Sequence, residues 1–446
     1  MAREYFGTDG IRGRVGNDPM TAEFAMRLAS AAAQVLAPDG GRVVIGKDTR
    51  VSGYMFESAL EAGFVAAGMD TLLLGPLPTP GIAYLTQALE ADLGVVISAS
   101  HNPYFDNGIK FFDRSGSKLP DATEEQIEAH LKKPAITRES HELGRAKRVD
   151  SAREDYQRFA LSSVPAGTRF DNLKIVLDCS HGAGYKVAPR VLTELGAEIV
   201  PIGCSPNGRN INDGCGSTHP DLLMLMVQGV HADLGIAFDG DGDRVLMVDH
   251  EGRLVDGDQL LYLLAKARHE AGELTGPVVG TLMTNLGLER ALAELGIGLK
   301  RANVGDRYVL EMLRETGGQL GGETSGHLLC LDKTTTGDGL ISALQVLSVI
   351  ARSGQSLAEL VYPMRHFPQT LINLRTAQRV DVNGSPEILA AIRAAEERIS
   401  TRGRVLVRAS GTEPVLRVMV EGEDDGEVIA VAESLATALK VIAGAE

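Results

Sequence analysis

The chain has 446 residues, 44% of them hydrophobic and 23% charged, with a formal net charge of −15. That length exceeds what one hydrophobic core fills and predicts roughly three or four domains. The acidic balance argues against a general nucleic-acid binder, which needs a basic face. The 51 glycines follow no period while apolar segments recur, which excludes a collagen-like or disordered chain. The most apolar stretches, such as 341–351, fall short of the roughly 20 residues that span a bilayer, so no membrane partner is expected. The opening MAREYFGTDG lacks the apolar core of a secretion signal. Cys179, Cys204, Cys215 and Cys330 form no CxxC pair and no zinc spacing with histidines, and read as reduced thiols of a cytoplasmic protein.

In chain order, 21–36 predicts an amphipathic helix, 42–47 (RVVIGK) a strand, 56–67 a helix, and 71–75 and 94–98 (GVVIS) strands. The polar, aperiodic run 132–150 predicts a boundary, followed by a helix over 151–161. Strands are expected at 174–177, 198–202, 234–238, 277–282 and 298–303, with a helix at 286–295. Strand, glycine turn and helix in repetition predict α/β domains with mostly parallel strands. Further breaks fall near 250–257 and 362–369. Beyond them the pattern changes to strands at 371–374, 405–408 and 415–420 with helices at 386–399 and 426–442, a small α+β domain.

The first chemical constellation is Asp239-Gly-Asp241-Gly-Asp243-Arg244, directly after an apolar strand. Three carboxylates at alternate positions repel one another and call for a cation, and hard oxygen ligands suit Mg²⁺ or Ca²⁺. Arg244 adds a partner for an anion beside the metal, as phosphoryl transfer requires. An EF-hand is excluded because His250 stands where its twelfth-position Glu belongs. A solvated acidic turn is the competing reading. The second is Ser98-Ala99-Ser100-His101-Asn102-Pro103 at the end of strand 94–98, where α/β sheets bind ligands. Ser100 there is placed as a nucleophile or phosphate carrier, and Lys110 in the following Asn107-Gly108-Ile109-Lys110 as an acid/base or phosphate contact. A plain serine turn accounts for the same residues equally well. No GxSxG elbow is present, so a hydrolase triad is not indicated.

Gly321-Gly322-Glu323-Thr324-Ser325-Gly326-His327 offers groups that hydrogen-bond sugar hydroxyls, though alone it is as readily a polar turn. Arg408-Ala409-Ser410-Gly411-Thr412-Glu413-Pro414, with Arg417 beyond, fits a phosphate cradle or a hairpin turn with chance charges. Gly7-Thr8-Asp9-Gly10-Ile11-Arg12-Gly13 is a further glycine loop holding one arginine. Gly46-Lys47-Asp48-Thr49-Arg50 is also basic, with surface solvation an equal explanation.

FGTDGIRG, ISASHNP, NGIKFF, FDGDGDR, GGETSGH and RASGTEP, in this order over essentially the whole chain, resemble the α-D-phosphohexomutase superfamily. The resemblance implies four domains around a central cleft: three related mixed α/β domains and a smaller C-terminal α+β domain. In this sequence they span 1–150 with the phosphoserine loop, 151–252 with the metal loop, 253–367 with the sugar loop, and 368–446 with the phosphate loop. It implies a phosphorylated Ser100, one Mg²⁺ per chain held by that phosphate with Asp239, Asp241 and Asp243, and a hexose 1,6-bisphosphate as activator. Ser100, His101, Lys110, Arg244 and Arg12 form the implied catalytic set. Lys110 is the first choice as proton carrier, its pKa lowered by a neighbouring cation, and His101 the second. Glu323, Ser325 and His327 would hold sugar hydroxyls, and Arg408, Ser410, Gly411, Thr412 and Arg417 the distal phosphate. Within the superfamily the chain is most similar to the bacterial branch that acts on glucosamine phosphate; Thr324 is a mild departure, at a position where that branch varies. The expected partner is a small sugar phosphate, together with an activating kinase that first loads Ser100. The alternatives are a phosphomannomutase or phosphoglucomutase, a metal-dependent sugar phosphatase that uses Ser100 with water as acceptor, and a non-catalytic sensor of sugar phosphates.

Overall fold

The computed structural model describes residues 3–376, 378, 380–409 and 414–443. They form two compact units, one of residues up to 283 with 297–362, the other of 284–296 with 363 onward.

The first unit contains three mixed sheets. The first has β1 (Ile11–Arg14), β2 (Gly41–Lys47), β3 (Met69–Pro76), β4 (Leu93–Ile97), β5 (Asp106–Asp113) and β6 (Ala146–Arg148), in the order β1-β5-β4-β2-β3-β6. The second has β7 (Lys174–Asp178), β8 (Glu198–Ile202), β9 (Leu234–Phe238), β10 (Val245–Asp249) and β11 (Leu254–Val255), in the order β11-β10-β9-β7-β8. The third has β12 (Val278–Thr281), β13 (Leu299–Ala302), β14 (Leu320–Gly322) and β15 (Leu328–Cys330), in the order β13-β12-β14-β15.

One plan underlies all three. β3-β2-β4-β5, β8-β7-β9-β10 and β13-β12-β14-β15 are each three parallel strands followed by an antiparallel one. In each, the connection from third to fourth strand is a short loop at the carboxyl end of the parallel set. Those loops carry Ser100, the three aspartates and the Glu323–His327 turn. The sequence pattern anticipates most of the parallel strands, most plainly β4 and β9, whose every residue is buried, but not β14, which has only three residues. It does not anticipate the antiparallel fourth strands. β5 (DNGIKFFD) begins and ends polar, and β15 has only three residues, too few to show a period. Lys110, which the sequence puts just past a loop, thus lies in mid-strand.

The run 132–150 is not wholly a connection, since β6 within it pairs parallel to β3 as an edge strand. The helix Gly257–Glu270 opens with a reciprocal cap between Asp256 and Gln259, and the helix Ala22–Leu36 with Thr21.

In the second unit, β16 (Gln369–Arg375), β17 (Gly403–Ala409) and β18 (Val415–Gly422) form an antiparallel sheet ordered β16-β18-β17. Leu374, Leu416, Val418 and Val420 of this sheet pack with Ile388 of the helix Pro386–Ile399 and Val431 and Leu435 of the helix Asp425–Ala443. The helix Leu286–Glu294 belongs to this unit: Asn285 bonds both the N–H and the C=O of Phe367, and Arg290 pairs with Glu423. Among the described residues, no helix is long and apolar enough to cross a membrane.

Candidate active site

Ser100 follows β4 with φ of 52°, a left-handed conformation that costs a non-glycine residue of order 1–3 kcal/mol and persists only where neighbours enforce it. Here they do. Ser98 Oγ accepts from Ser100 N at 2.9 Å and donates to Asp48 Oδ2 at 2.5 Å. The Ser100 carbonyl accepts from Arg50 Nη2 at 3.2 Å and from Asn212 Nδ2 at 2.9 Å. Lys47, Asp48 and Arg50 are therefore not a solvated basic segment: each is at most 1% exposed, and Arg50 pairs with Asp48. Burial keeps the Asp48 carboxyl above its ordinary pKa despite that guanidinium. Arg50→Met should strand a buried carboxylate and lower stability by about 3–5 kcal/mol in chemical denaturation; a loss below about 1 kcal/mol would count against this anchoring.

The loop after β9 brings Asp239, Asp241 and Asp243 together, with one potential ligand oxygen from each within 4.8 Å of the others. Its glycines are dictated by space and geometry. A Cβ on Gly240 would lie 2.6 Å from the Ser100 carbonyl oxygen, and Gly242 has φ of +74°. Ser100 Oγ donates to Asp239 Oδ2 at 2.5 Å, and His101 Nδ1 lies 3.3 Å from Ser100 Oγ. Asp241 Oδ2 accepts from Lys110 Nζ at 2.8 Å and Thr79 Oγ1 at 2.6 Å.

The donor set fits a divalent cation. Burial, then repulsion from Asp243 and Asp241, pushes the Asp239 carboxyl well above its ordinary pKa. Asp241 Oδ1 and Asp243 Oδ1 are buried without a hydrogen-bond partner. Orphaned oxygens and unrelieved repulsion are what a hard cation on carboxylate ligands removes.

The two expected proton carriers differ in charge. Burial, then Arg244 and Arg12, lowers His101 to about 4, so its imidazole is neutral near pH 7. Lys110 is desolvated, but Asp241, Asp9 (2.9 Å) and Asp243 (3.9 Å) outweigh burial and hold it well above the ordinary lysine pKa. That direction is opposite to the lowering expected from a cationic neighbour, because the nearest charges are carboxylates.

A cavity of about 380 Å³ adjoins these groups, lined by Asp9, Arg12, His101, Arg244, Asp306 and Glu323 among others. His327 also lines it, and Asp306 and Asp243 raise this buried imidazole to about 9 although burial opposes the charge. Ser325 is exposed at the tip of its turn, while Thr324 Oγ1 is turned aside to donate to Asp258 at 2.8 Å. In the second unit, Arg408 and Arg417 stand directly opposite on β17 and β18. Burial and the Arg417 charge lower the Arg408 pKa, and Arg417 Nε is buried without a partner. Such a like-charged pair favours an anion beside it. Ser410, Gly411 and Thr412 lie outside the described residues.

Sequence reasoning missed Asp9, Thr79, Lys118, Asp306 and Asn212. Asp9 stands in plain sight in FGTDGIRG and Lys118 six residues beyond NGIKFF; Thr79, Asn212 and Asp306 sit outside the motifs and become site residues only through chain folding.

Family models of the phosphoglucomutase/phosphomannomutase group match in four pieces: alpha/beta/alpha domain I at residues 3–137, domain II at 154–252, domain III at 256–367 and the C-terminal domain at 371–438. A phosphoglucosamine mutase of Methylococcus capsulatus is 56% identical over 441 residues, covering 98% of this chain and 99% of its own. One of Pseudomonas syringae is 57% identical, covering 98% of both. Among solved structures, a phosphoglucomutase/phosphomannomutase family protein of Burkholderia thailandensis superposes with a TM-score of 0.83 at 25% identity over 98% of each chain. An N-acetylphosphoglucosamine mutase of Aspergillus fumigatus, in complex with GlcNAc-6P and magnesium, shares the fold at 18% identity, with a TM-score of 0.70 over 99% of this chain and 96% of its own. With four consecutive domain matches and relatives aligned end to end, this chain belongs to the phosphoglucomutase/phosphomannomutase family.

Proposed function

We propose that this chain is an isomerase that interconverts glucosamine 6-phosphate and glucosamine 1-phosphate through phosphorylated Ser100 and a glucosamine 1,6-bisphosphate intermediate, in the cytoplasm, on the route to amino-sugar and cell-wall precursors. The observation that carries the chemistry is Ser100 Oγ, 2.5 Å from Asp239 within a buried three-aspartate group beside the cavity. The sugar is supported by end-to-end similarity to the Methylococcus and Pseudomonas relatives.

Phosphorylated Ser100, Asp239, Asp241 and Asp243 would hold one Mg²⁺, which when bound offsets negative charge on the transferring phosphoryl oxygens. The chain's own groups do the rest. Arg12 and Arg244, both on the cavity wall, stabilise charge spreading over the phosphoryl group. Lys110, a fixed ammonium at Asp241, stabilises the serine oxygen as its bond to phosphorus breaks. The proton lost from the sugar C1 hydroxyl goes to the neutral His101 imidazole. In the second half the Ser100 oxygen takes the C6 phosphoryl group, and His101 returns its proton to the departing C6 oxygen, leaving the 1-phosphate. Arg408 and Arg417, with Ser410, Gly411 and Thr412, hold the phosphate not being transferred. A kinase or hexose 1,6-bisphosphate supplies the first phosphoryl group.

Phosphorus NMR with Mg²⁺ and a trace of hexose bisphosphate tests the proposal on glucosamine 6-phosphate, mannose 1-phosphate and glucose 1-phosphate. Fastest isomerisation of the amino sugar is expected. Preference for another sugar would overturn the substrate alone, and inorganic phosphate without isomer would overturn the mutase.

A further inference from the structure

The cavity wall carries four carboxylates, Asp9, Asp243, Asp306 and Glu323. Asp9 and Asp306 share the Lys118 ammonium, but two of the four are more heavily engaged. Asp9 is paired with Arg12, Lys110 and Lys118, and Asp243 belongs to the metal group. Asp306 and Glu323 remain on the sugar side, and the backbone ties them together: Gly305 N donates to Glu323 Oε1 at 3.0 Å, which sets Asp306 next to it. Among the described residues Glu323 interacts with the Arg244 charge but forms no direct ion pair. Asp306 begins the helix Asp306–Thr316 and is held by Lys118 Nζ at 2.5 Å, with His327 Nε2 at 3.3 Å facing it without a hydrogen bond, and with its side chain 16% exposed. The same His327 Nε2 is buried and lacks a hydrogen-bond partner, so the polar wall is incomplete as it stands.

We propose that Asp306, with Glu323 beside it, receives the 2-ammonium group of the glucosamine phosphate and so sets the preference for the amino sugar, an inference that rests on the substrate reading above. Glu323 is the expected holder of ring hydroxyls, and among the substituents on that ring only the one on C2 differs between glucosamine and glucose. Asp306, adjacent to Glu323 on the same wall, is the carboxylate assigned to that substituent. An ammonium gives it a charge-assisted hydrogen bond, where a hydroxyl gives a neutral donor of roughly half the strength. Lys118 and His327 act on Asp306 as positioning residues, fixing its orientation.

The test compares kcat/KM for glucosamine 6-phosphate and glucose 6-phosphate in the wild type, Asp306→Asn and Asp306→Ser. The ratio within one variant is independent of how much of it is folded. The amino-sugar preference should fall at least about tenfold in both variants. Equal losses on the two sugars, or an unchanged ratio, would overturn the proposal. Should turnover become unmeasurable, calorimetric affinities for the two sugar phosphates in an added Ser100→Ala background give the same ratio: a fall supports the proposal and an unchanged value overturns it. A wild type that fails to isomerise glucosamine 6-phosphate would instead sink the substrate reading.

Discussion

Ser100→Ala is expected to abolish turnover, by at least about 10⁴-fold, and to abolish phosphoryl labelling of the protein by hexose 1,6-bisphosphate. Two nearby hydroxyls are already engaged. Ser98 Oγ is already bonded to Asp48 and Ser100 N, and Thr79 Oγ1 to Asp241. The backbone at residue 100 is fixed by Arg50, Asn212 and Ser98 through groups that alanine retains, so the loop should keep its shape. Loss of activity would then report the missing oxygen rather than a collapsed site. Phosphorus NMR and intact-protein mass measurement read the two effects separately, and full activity in this variant would end the phosphoserine mechanism.

Asp241→Ala should raise the Mg²⁺ concentration for half-maximal activity by roughly tenfold to a hundredfold or more, since even residues that only orient a ligand contribute that much. Asp241 has two duties. Its Oδ1 is a free, buried donor for the cation, while Oδ2 holds Lys110 and Thr79. Two losses should therefore appear: a shifted Mg²⁺ titration, and a lower kcat at saturating Mg²⁺ because Lys110 loses its closest partner. An unchanged titration would contradict the metal role. A shifted titration with an unchanged kcat would leave the metal role standing and remove the argument for Lys110.

Much of this site was legible because its chemistry is local in sequence. Three alternating aspartates repel one another wherever the chain puts them, and a serine closing an apolar strand lies at the ligand-binding end of a parallel sheet. Helices such as Ala22–Leu36 and Pro386–Ile399 and buried parallel strands such as β4 and β9 were legible for the same reason, through apolar runs and regular periods. Charge environment was not. For Lys47, Asp48 and Arg50 the sequence left a site role and surface solvation open together, and only folding shows them buried, with Asp48 and Arg50 bonded to the Ser98–Ser100 loop. The pKa of Lys110 moves up rather than down because Asp9 and Asp241, far from it in sequence on either side, converge on its ammonium.

The sequence by itself determined the reaction's essential parts: a nucleophile, a carboxylate set for a hard cation, and glycine loops that only such close approaches require. It also determined the alternation of strand and helix, because hydrophobic period is a property of neighbours along the chain. Only the tertiary structure decided how the loops relate. Three sheets built to one plan each add an antiparallel fourth strand, and the loop before that strand is where each presents its functional residues. It alone decided which cations meet which carboxylates, sharing Lys118 between Asp9 and Asp306 and placing Asp306 beside Glu323 on the cavity wall. Pairing between residues so distant along the chain depends on which surfaces meet, and that is fixed by packing rather than by any local pattern.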